Sequence, residues 1–553
     1  MNKWCSPKKS ILGFFMLMFL FMPLIPTLVH TSTKTLGFGN IKKSGGFTCT
    51  STAPLDFPCF WNDTAFQERK QQAIEEIISS NTYNESLGII GDSGTGVRTQ
   101  GYHVLSILQS NNDSLANLSR ASSVITSLHE KYQIREKYRG ARQYGGFLKE
   151  LDMDLDEYDG NYANFMAPFL GCIALEHRED LTPPARRHLN AMLKILSSCV
   201  HAQDNHVDYT NMFLLRVYSL LLLGEYFNDD SMRYEARHHW EKWMDLVLRE
   251  GFPEHNSPNY GFIDAWALEG IYMHSVDRHM QLQARAILEW FWMDYGQHYH
   301  PFTGYHAGSG ARVKNSDRYY GIGSHQNPLF MYFNEGSGIA SSSASRMFTI
   351  KNYMPPEYVK EVTLEKEYPF HVKTRNFGTD TYTYMTQDYS FGTESGCKYP
   401  SKAGYTASQI SGERLPSLIT YVTNHSRKSA VVDTNPHYQA ITSLQDGSTA
   451  ILLVNFDVPE KRKSDEIYLE AWVGSRTALE SIQGEIRVNN ITWTGDPVAL
   501  EDGDRLTVKI NNTFIGFCPV ASQVDHVDDS LLDNSWNTVL RWEENHDAGS
   551  EDL

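Results

Sequence analysis

Two stretches of this chain, residues 212–227 (MFLLRVYSLLLLGEYF) and 262–273 (FIDAWALEGIYM), are apolar on nearly every side. A helix without a polar face has to be packed all round, so neither can lie on a surface. Neighbouring segments carry only one apolar stripe. Leu189, Met192, Leu193 and Leu196 form one such stripe, introduced by Thr182-Pro183-Pro184, which supplies a cap and a first-turn proline. Ala236, Trp240, Trp243, Met244 and Val247 form another. Helix follows helix in this way from about 65 to 295. Alternating half-apolar and wholly apolar helices suit a two-layer ring with the wholly apolar members on its inner wall; an irregular helical bundle satisfies the same pattern.

After this the periodicity changes. Between 298 and 333, Gly304, Gly308, Gly310, Gly321 and Gly323 are interleaved with Tyr, His, Arg and Ser, which reads as a long structured loop of functional kind. The period then becomes two. Residues 450–456, 467–473 and 506–510 read as strands, with Glu501-Asp502-Gly503-Asp504 as a turn between strands. Helices first and strands second predict an α+β multidomain chain: helices over 65–300, a glycine-rich loop over 301–345 and an all-β segment over 346–524. An extension, 31–64, precedes them, and an acidic tail, 525–553, follows.

Lys3, Lys8 and Lys9 precede an apolar run over 11–29 that is broken by Gly13, Pro23, Pro26 and Thr27, so residues 1–30 read as an export signal. The run approaches the length of a membrane span. The expected product is therefore secreted and extracellular, or anchored in a membrane through an uncleaved signal; two prolines weaken a spanning helix and favour cleavage. Export implies an oxidising compartment for the six cysteines beyond Cys5. Nearest-neighbour pairing would join Cys49 to Cys59, Cys172 to Cys199 and Cys397 to Cys518, while Cys172 and Cys199, on helices, read equally well as small buried hydrophobes. Sequons at Asn62, Asn84, Asn112, Asn117, Asn424, Asn490 and Asn511 agree with a glycosylated export. A net charge of −17 argues against a nucleic-acid partner, which requires a basic surface. No metal or other cofactor is expected: His238-His239 lacks ligand spacing, and phosphate-binding, dinucleotide and serine-hydrolase motifs are absent from the sequence.

Polar groups gather beside the buried helices in three places. Asp208-Tyr209-Thr210-Asn211 precedes the first apolar run, and Glu254-His255-Asn256-Ser257-Pro258-Asn259-Tyr260 precedes the second. The third is Tyr305-His306-Ala307-Gly308-Ser309-Gly310-Ala311-Arg312, continuing through Lys314, Asp317 and Arg318. If the inner helices share one polarity, the first two segments open at the same rim and the third is free to lie across it.

Glu254-x-x-Ser257-Pro258-x-Tyr260 before a helix, with Asn211 heading a helix upstream, resembles the heparinase II/III-like polysaccharide lyases and their alginate-lyase relatives. The resemblance covers roughly residues 65 to 520 and implies an N-terminal (α/α) toroid followed by a C-terminal antiparallel β-sandwich. It also implies β-elimination on a uronate-containing polysaccharide, with Asn211 steadying the substrate carboxylate and Tyr260 transferring protons. Such a reaction needs charge stabilisation at the carboxylate and a positioned base and acid. His306 and Arg312 add an imidazole and a guanidinium from the loop, and Glu254, His255, Asn256, Tyr305 and Arg318 complete the candidate substrate-binding set. The chain departs from the family where Asn211 is followed by Met212 instead of histidine, so a base supplied there by family members is missing. Three other readings stay open: an inverting glycoside hydrolase using Glu254 and Asp264, a uronyl epimerase, and a non-catalytic glycan-binding surface glycoprotein.

Overall fold

Helices occupy the chain from Thr64 to His298 and antiparallel strands dominate from Phe370 onward. The computed structural model describes residues 64–308 except 81, 111–113, 137–141, 154–158, 258–259 and 303–304; 326–334; 353 and 355–397 except 388; and, further on, 419–423, 429–434, 439–456, 469–473, 485–494, 498–501, 503–510, 513–518 and 538–540. Residues 65–553 form one unit, and of residues 1–64 only Thr64 is described. The export segment, Cys49, Cys59, Arg312 and Arg318 thus lie outside the described residues. Among those that are described, no helix is long and apolar enough to cross a membrane.

The helices are α1 (Thr64–Ser79), α2 (Val97–Gln109), α3 (Leu115–Ser127), α4 (Asn161–Glu176), α5 (Pro183–Ala202), α6 (Thr210–Phe227), α7 (Asp230–Glu250), α8 (Gly261–His274) and α9 (Arg278–His298). A two-residue hairpin, β1 (Tyr83–Asn84) with β2 (Ile89–Ile90), joins α1 to α2. Both wholly apolar runs are helices buried on all faces: α6 from Thr210 through Gly224 and α8 from Gly261 through Ile271. α4 is the third of this kind, buried from Tyr162 through Ala174. These helices pack in succession, α2 on α4, α4 on α6 and α6 on α8, while α5, α7 and α9 cover them from outside with single stripes. In α7 only Ala236, Trp240, Trp243, Met244 and Val247 are buried, which is the stripe the sequence predicts. Pro183 opens α5 as expected, but the Thr182 side chain makes no capping bond; the Thr182 N–H instead donates to Ser122 Oγ on α3 at 3.0 Å.

Close approach of α6 and α8 depends on Gly270. A Cβ there would sit 2.2 Å from Cζ of Tyr218, a fully buried ring on α6. Gly270→Ala should therefore lower stability by about 1–3 kcal/mol through overpacking, read as a fall in the denaturation midpoint with unchanged helix content.

Cys172 and Cys199 are buried thiols with separate partners, so the expected bond between them is not formed. Cys172 Sγ on α4 lies 3.2 Å from the Tyr218 hydroxyl, towards the inner helices, whereas Cys199 Sγ on α5 donates to the Arg142 carbonyl at 3.1 Å. Cys518 is exposed, and the Cys397 side chain lies outside the described residues. Of the sequon asparagines, Asn490 is exposed beside a strand turn and Asn117 is buried in the first turn of α3.

A hairpin, β3 (Tyr299–His300) with β4 (Tyr305–His306), follows α9 directly. Beyond it come α10 (Gln326–Phe333) and α11 (Glu357–Leu364). An eight-stranded antiparallel sheet then holds β5 (Phe370–Asn376), β6 (Thr379–Met385), β7 (Tyr389–Cys397), β8 (Ile419–Thr423), β9 (Ser429–Thr434), β10 (Gln439–Asp446), β11 (Thr449–Phe456) and β12 (Leu469–Val473). β7 joins the sheet together: β6 runs along one edge, while β8, at residues 389–393, and β10, at 396–397, divide the other. A second antiparallel sheet holds β13 (Glu485–Val488), β14 (Ile491–Thr492), β16 (Leu506–Ile510) and β17 (Thr513–Phe517), and β15 (Val498–Leu500) pairs with β18 (Thr538–Leu540). The Glu501–Asp504 turn forms as expected, with Gly503 at φ 92° and Glu501 N–H donating to Asp504 Oδ2 at 2.7 Å.

Candidate active site

The N-terminal backbone donors of α6 and the segment that enters α8 meet at one end of the inner helices. Gly251 ends α7 at φ 82°, and a Cβ there would lie 2.5 Å from Asn376 Oδ1, which also accepts the Phe252 N–H at 3.1 Å. The chain then turns inward. Glu254, 4% exposed, accepts the Asn211 N–H at 3.0 Å through Oε2. A carboxylate at a helix N-terminus satisfies an orphan donor and faces the positive end of the dipole, so Glu254 caps α6 from 43 residues away. Asn211 is itself 1% exposed, and its Oδ1 accepts the Met212 N–H at 2.8 Å. Ser257 Oγ accepts the Tyr260 N–H at 3.2 Å, which sets the start of α8.

The β3–β4 hairpin is fastened to the same segment. Asn256, at φ 51°, donates through Nδ2 to the Ala307 carbonyl at 3.1 Å, and the Ala307 N–H donates to the His298 carbonyl at 2.7 Å. Gly308, at φ 86°, leaves room for Thr383 Oγ1 of β6, which a Cβ would approach to 2.1 Å. Lys366 supports β3 from below: its ammonium donates to the Tyr299 carbonyl at 2.6 Å and the Thr363 carbonyl at 2.8 Å, and burial pushes its pKa down to about 7.

Together these segments enclose a recess of about 370 Å³, counting the solvent at its mouth. Glu254, His255, Asn256 and Ser257 line one side; Phe252, Phe262 and Asp264 contribute from the entry to α8; Phe291, Asp294, Tyr295 and His306 close the other. The His306 ring stacks on Tyr295 at 4.6 Å between centroids and stands edge-on to His298 at 5.9 Å. Burial pushes the Tyr295 phenol well above its ordinary value, with Tyr299 adding to the rise. Burial also raises the Asp294 carboxyl, and the nearby His298 imidazole opposes that rise. The recess thus offers three carboxyl groups and two imidazoles, a set suited to proton transfer in both directions.

Of the residues expected from sequence, Glu254, His255, Asn256 and His306 line the recess, as does Asp264. Asn211 lies behind Glu254, and Tyr260 is half-buried at the start of α8, one turn ahead of Asp264. Tyr305 sits in β4 opposite His300, its side chain outside the described residues. Asp294 and Tyr295 were not singled out from sequence. They fall in the last turns of an ordinary amphipathic helix, and the one available signal is a half-buried acid set among Trp290, Phe291 and Trp292.

A family model described as Domain of unknown function (DUF8769) matches residues 93–330, a span that contains every residue lining the recess. No curated protein matches the chain.

Proposed function

We propose that residues 65–520 form an (α/α) toroid joined to an antiparallel β-sandwich, and that the recess is the active site of an exported lyase cleaving uronate-containing glycans by β-elimination. The observation that carries this reading is the pair of hydrogen bonds, Asn211 to Glu254 and Asn256 to Ala307, that brings three distant segments to one end of the inner helices. Successive packing of α2, buried from Gln100 to Leu108, on α4, α6 and α8, with striped helices outside, supports the toroid, and the two antiparallel sheets support the sandwich. Tyr260, half-buried where α8 begins, and His306, half-buried in the recess wall, are the proton-transfer groups. Asn211, with its amide oxygen engaged and its side chain enclosed, holds Glu254 in place instead of meeting the substrate. Neutralising the uronate carboxylate falls to Arg312 and Arg318, which follow β4 in the sequence.

A second reading rests on a specific feature: Glu254 and Asp264 line one recess together with Asp294, whose carboxyl burial raises. An inverting glycoside hydrolase uses such a set, one carboxylic acid protonating the leaving oxygen and one carboxylate activating water. Incubating the full chain with a panel of uronate-containing and neutral polysaccharides separates the two. Elimination yields shortened chains with an unsaturated uronate absorbing in the near ultraviolet. New reducing ends without that absorbance indicate hydrolysis, and binding without chain shortening indicates a glycan-binding role.

A further inference from the structure

At the far end of α8 from the recess, four side chains that the proposed glycan chemistry does not use converge on one spot. Cys172 and Glu176 are one helical turn apart on the same face of α4, and His274 is the last residue of α8. Their ligand atoms, a thiol sulfur, a carboxylate oxygen and an imidazole nitrogen, all lie within 4.8 Å of one another. Tyr218 of α6 joins them, its hydroxyl 3.2 Å from Cys172 Sγ and 3.2 Å from His274 Nδ1. Cys172 is buried and the His274 side chain is 5% exposed, while the Glu176 side chain reaches towards solvent at 15%.

Both ring nitrogens of His274 are in contact with groups of the cluster or its own helix. Nδ1 lies 3.0 Å from the Gly270 carbonyl and 3.2 Å from the Tyr218 hydroxyl. Nε2 lies 2.7 Å from Glu176 Oε1. An imidazole that ligates through one nitrogen while its other N–H is held by a backbone carbonyl is the arrangement that fixes a metal-binding tautomer. The Tyr218 hydroxyl, 3.2 Å from the Cys172 sulfur, is placed to donate to the thiolate that metal binding would form.

We propose that Cys172, Glu176 and His274 form a binding site for a divalent transition cation of zinc type. Mixed sulfur, nitrogen and oxygen ligation suits such an ion. Bond lengths of about 2.0–2.3 Å require the sulfur to draw closer and the Glu176–His274 pair, now 2.7 Å apart, to open slightly, which side-chain rotation supplies. Three protein ligands leave the fourth position to water. On binding, the thiol proton and any proton on Nε2 pass to solvent, and no redox change occurs. Because it bridges α4 and α8 beside Tyr218 of α6, the ion would tie three inner helices together at the end opposite the recess.

The test uses the full chain, stripped with a chelator and titrated with Co(II) as a visible probe, then with Zn(II) as competitor. One equivalent of Co(II) should bind with a thiolate-to-cobalt charge-transfer band that one equivalent of Zn(II) removes. Cys172→Ser should abolish that band. Glu176→Gln and His274→Gln should each weaken Zn(II) binding by more than about 100-fold, and Tyr218→Phe by about 10-fold, the range expected for an outer-shell partner. Cys199→Ser, which removes the other buried thiol and its separate partner, should leave the band in place. Zn(II) should raise the thermal midpoint of the unaltered chain and leave that of Glu176→Gln unmoved, a readout that survives if the cysteine variant fails to fold. Absence of stoichiometric Co(II) binding, or a charge-transfer band that persists in folded Cys172→Ser, overturns the proposal.

Discussion

Tyr260→Phe is expected to lower kcat/KM on a uronate polymer by about 10²–10⁴-fold, the usual contribution of a positioned proton-transfer group, with the loss in kcat and little change in KM. The substitution is clean for structural reasons. The ring packs against the helical core and keeps its place, and the Tyr260 N–H bond to Ser257 Oγ belongs to the backbone and is untouched. Only the phenolic O–H is removed. His306→Gln tests the partner in the recess wall: it retains a polar side chain while deleting the group that can both take and give a proton, and it should shift the pH profile as well as reduce the rate. The two readings of the site diverge here. In a hydrolase, Asp264→Asn would abolish turnover and Tyr260→Phe would leave it nearly intact, whereas in a lyase the order reverses. Activity unchanged in both Tyr260→Phe and His306→Gln would remove elimination at this recess from consideration.

The residues that were legible in the sequence are those whose environment is dictated locally. Helices α6 and α8 were readable because an all-apolar run has only one stable fate, burial on every side. α4 shares that fate but is masked in the sequence by Asn164 and Pro168, which look like surface and breaker residues, although both are buried. The α7 stripe and the Glu501–Asp504 turn followed from spacing and turn chemistry alone. Features that depend on side-chain direction across tertiary distance were not legible. Cys172 and Cys199 are neighbours in number but turn to different partners, and the carboxylate that caps α6 comes from 43 residues downstream. The Cys172–Glu176 spacing is visible on paper, yet nothing local points to His274, 98 residues from Glu176, as the group that meets it.

Glu235→Leu is expected to destabilise the chain by about 3–5 kcal/mol, the cost of leaving a buried charge without its partner. The charge is Arg216, the one cation in the apolar run of α6, with a side chain only 8% exposed. Its Nη2 donates to Glu235 Oε1 at 2.9 Å and to the His201 carbonyl at 3.2 Å. Glu235, reaching in from α7, also holds His201 at 2.6 Å and His239 at 3.4 Å. Burial pushes the Glu235 carboxyl up, but hydrogen bonds from His239 and His201 and the charges of His201 and Arg216 outweigh it, bringing the pKa from 4.5 to about 2. A carboxyl with a depressed folded-state pKa contributes stability that is complete above its unfolded value and is lost as pH falls through the folded one. The unaltered chain should therefore lose about 3 kcal/mol between roughly pH 5 and pH 2 from this group, and Glu235→Leu should lack that component of its acid limb. Denaturant unfolding at a series of pH values measures both effects. Pairing the change with Arg216→Met supplies the decisive comparison: if the penalty comes from an uncompensated guanidinium, the double variant recovers most of the stability that the single one lost, whereas a double variant as unstable as the single one would assign the loss to packing between α6 and α7.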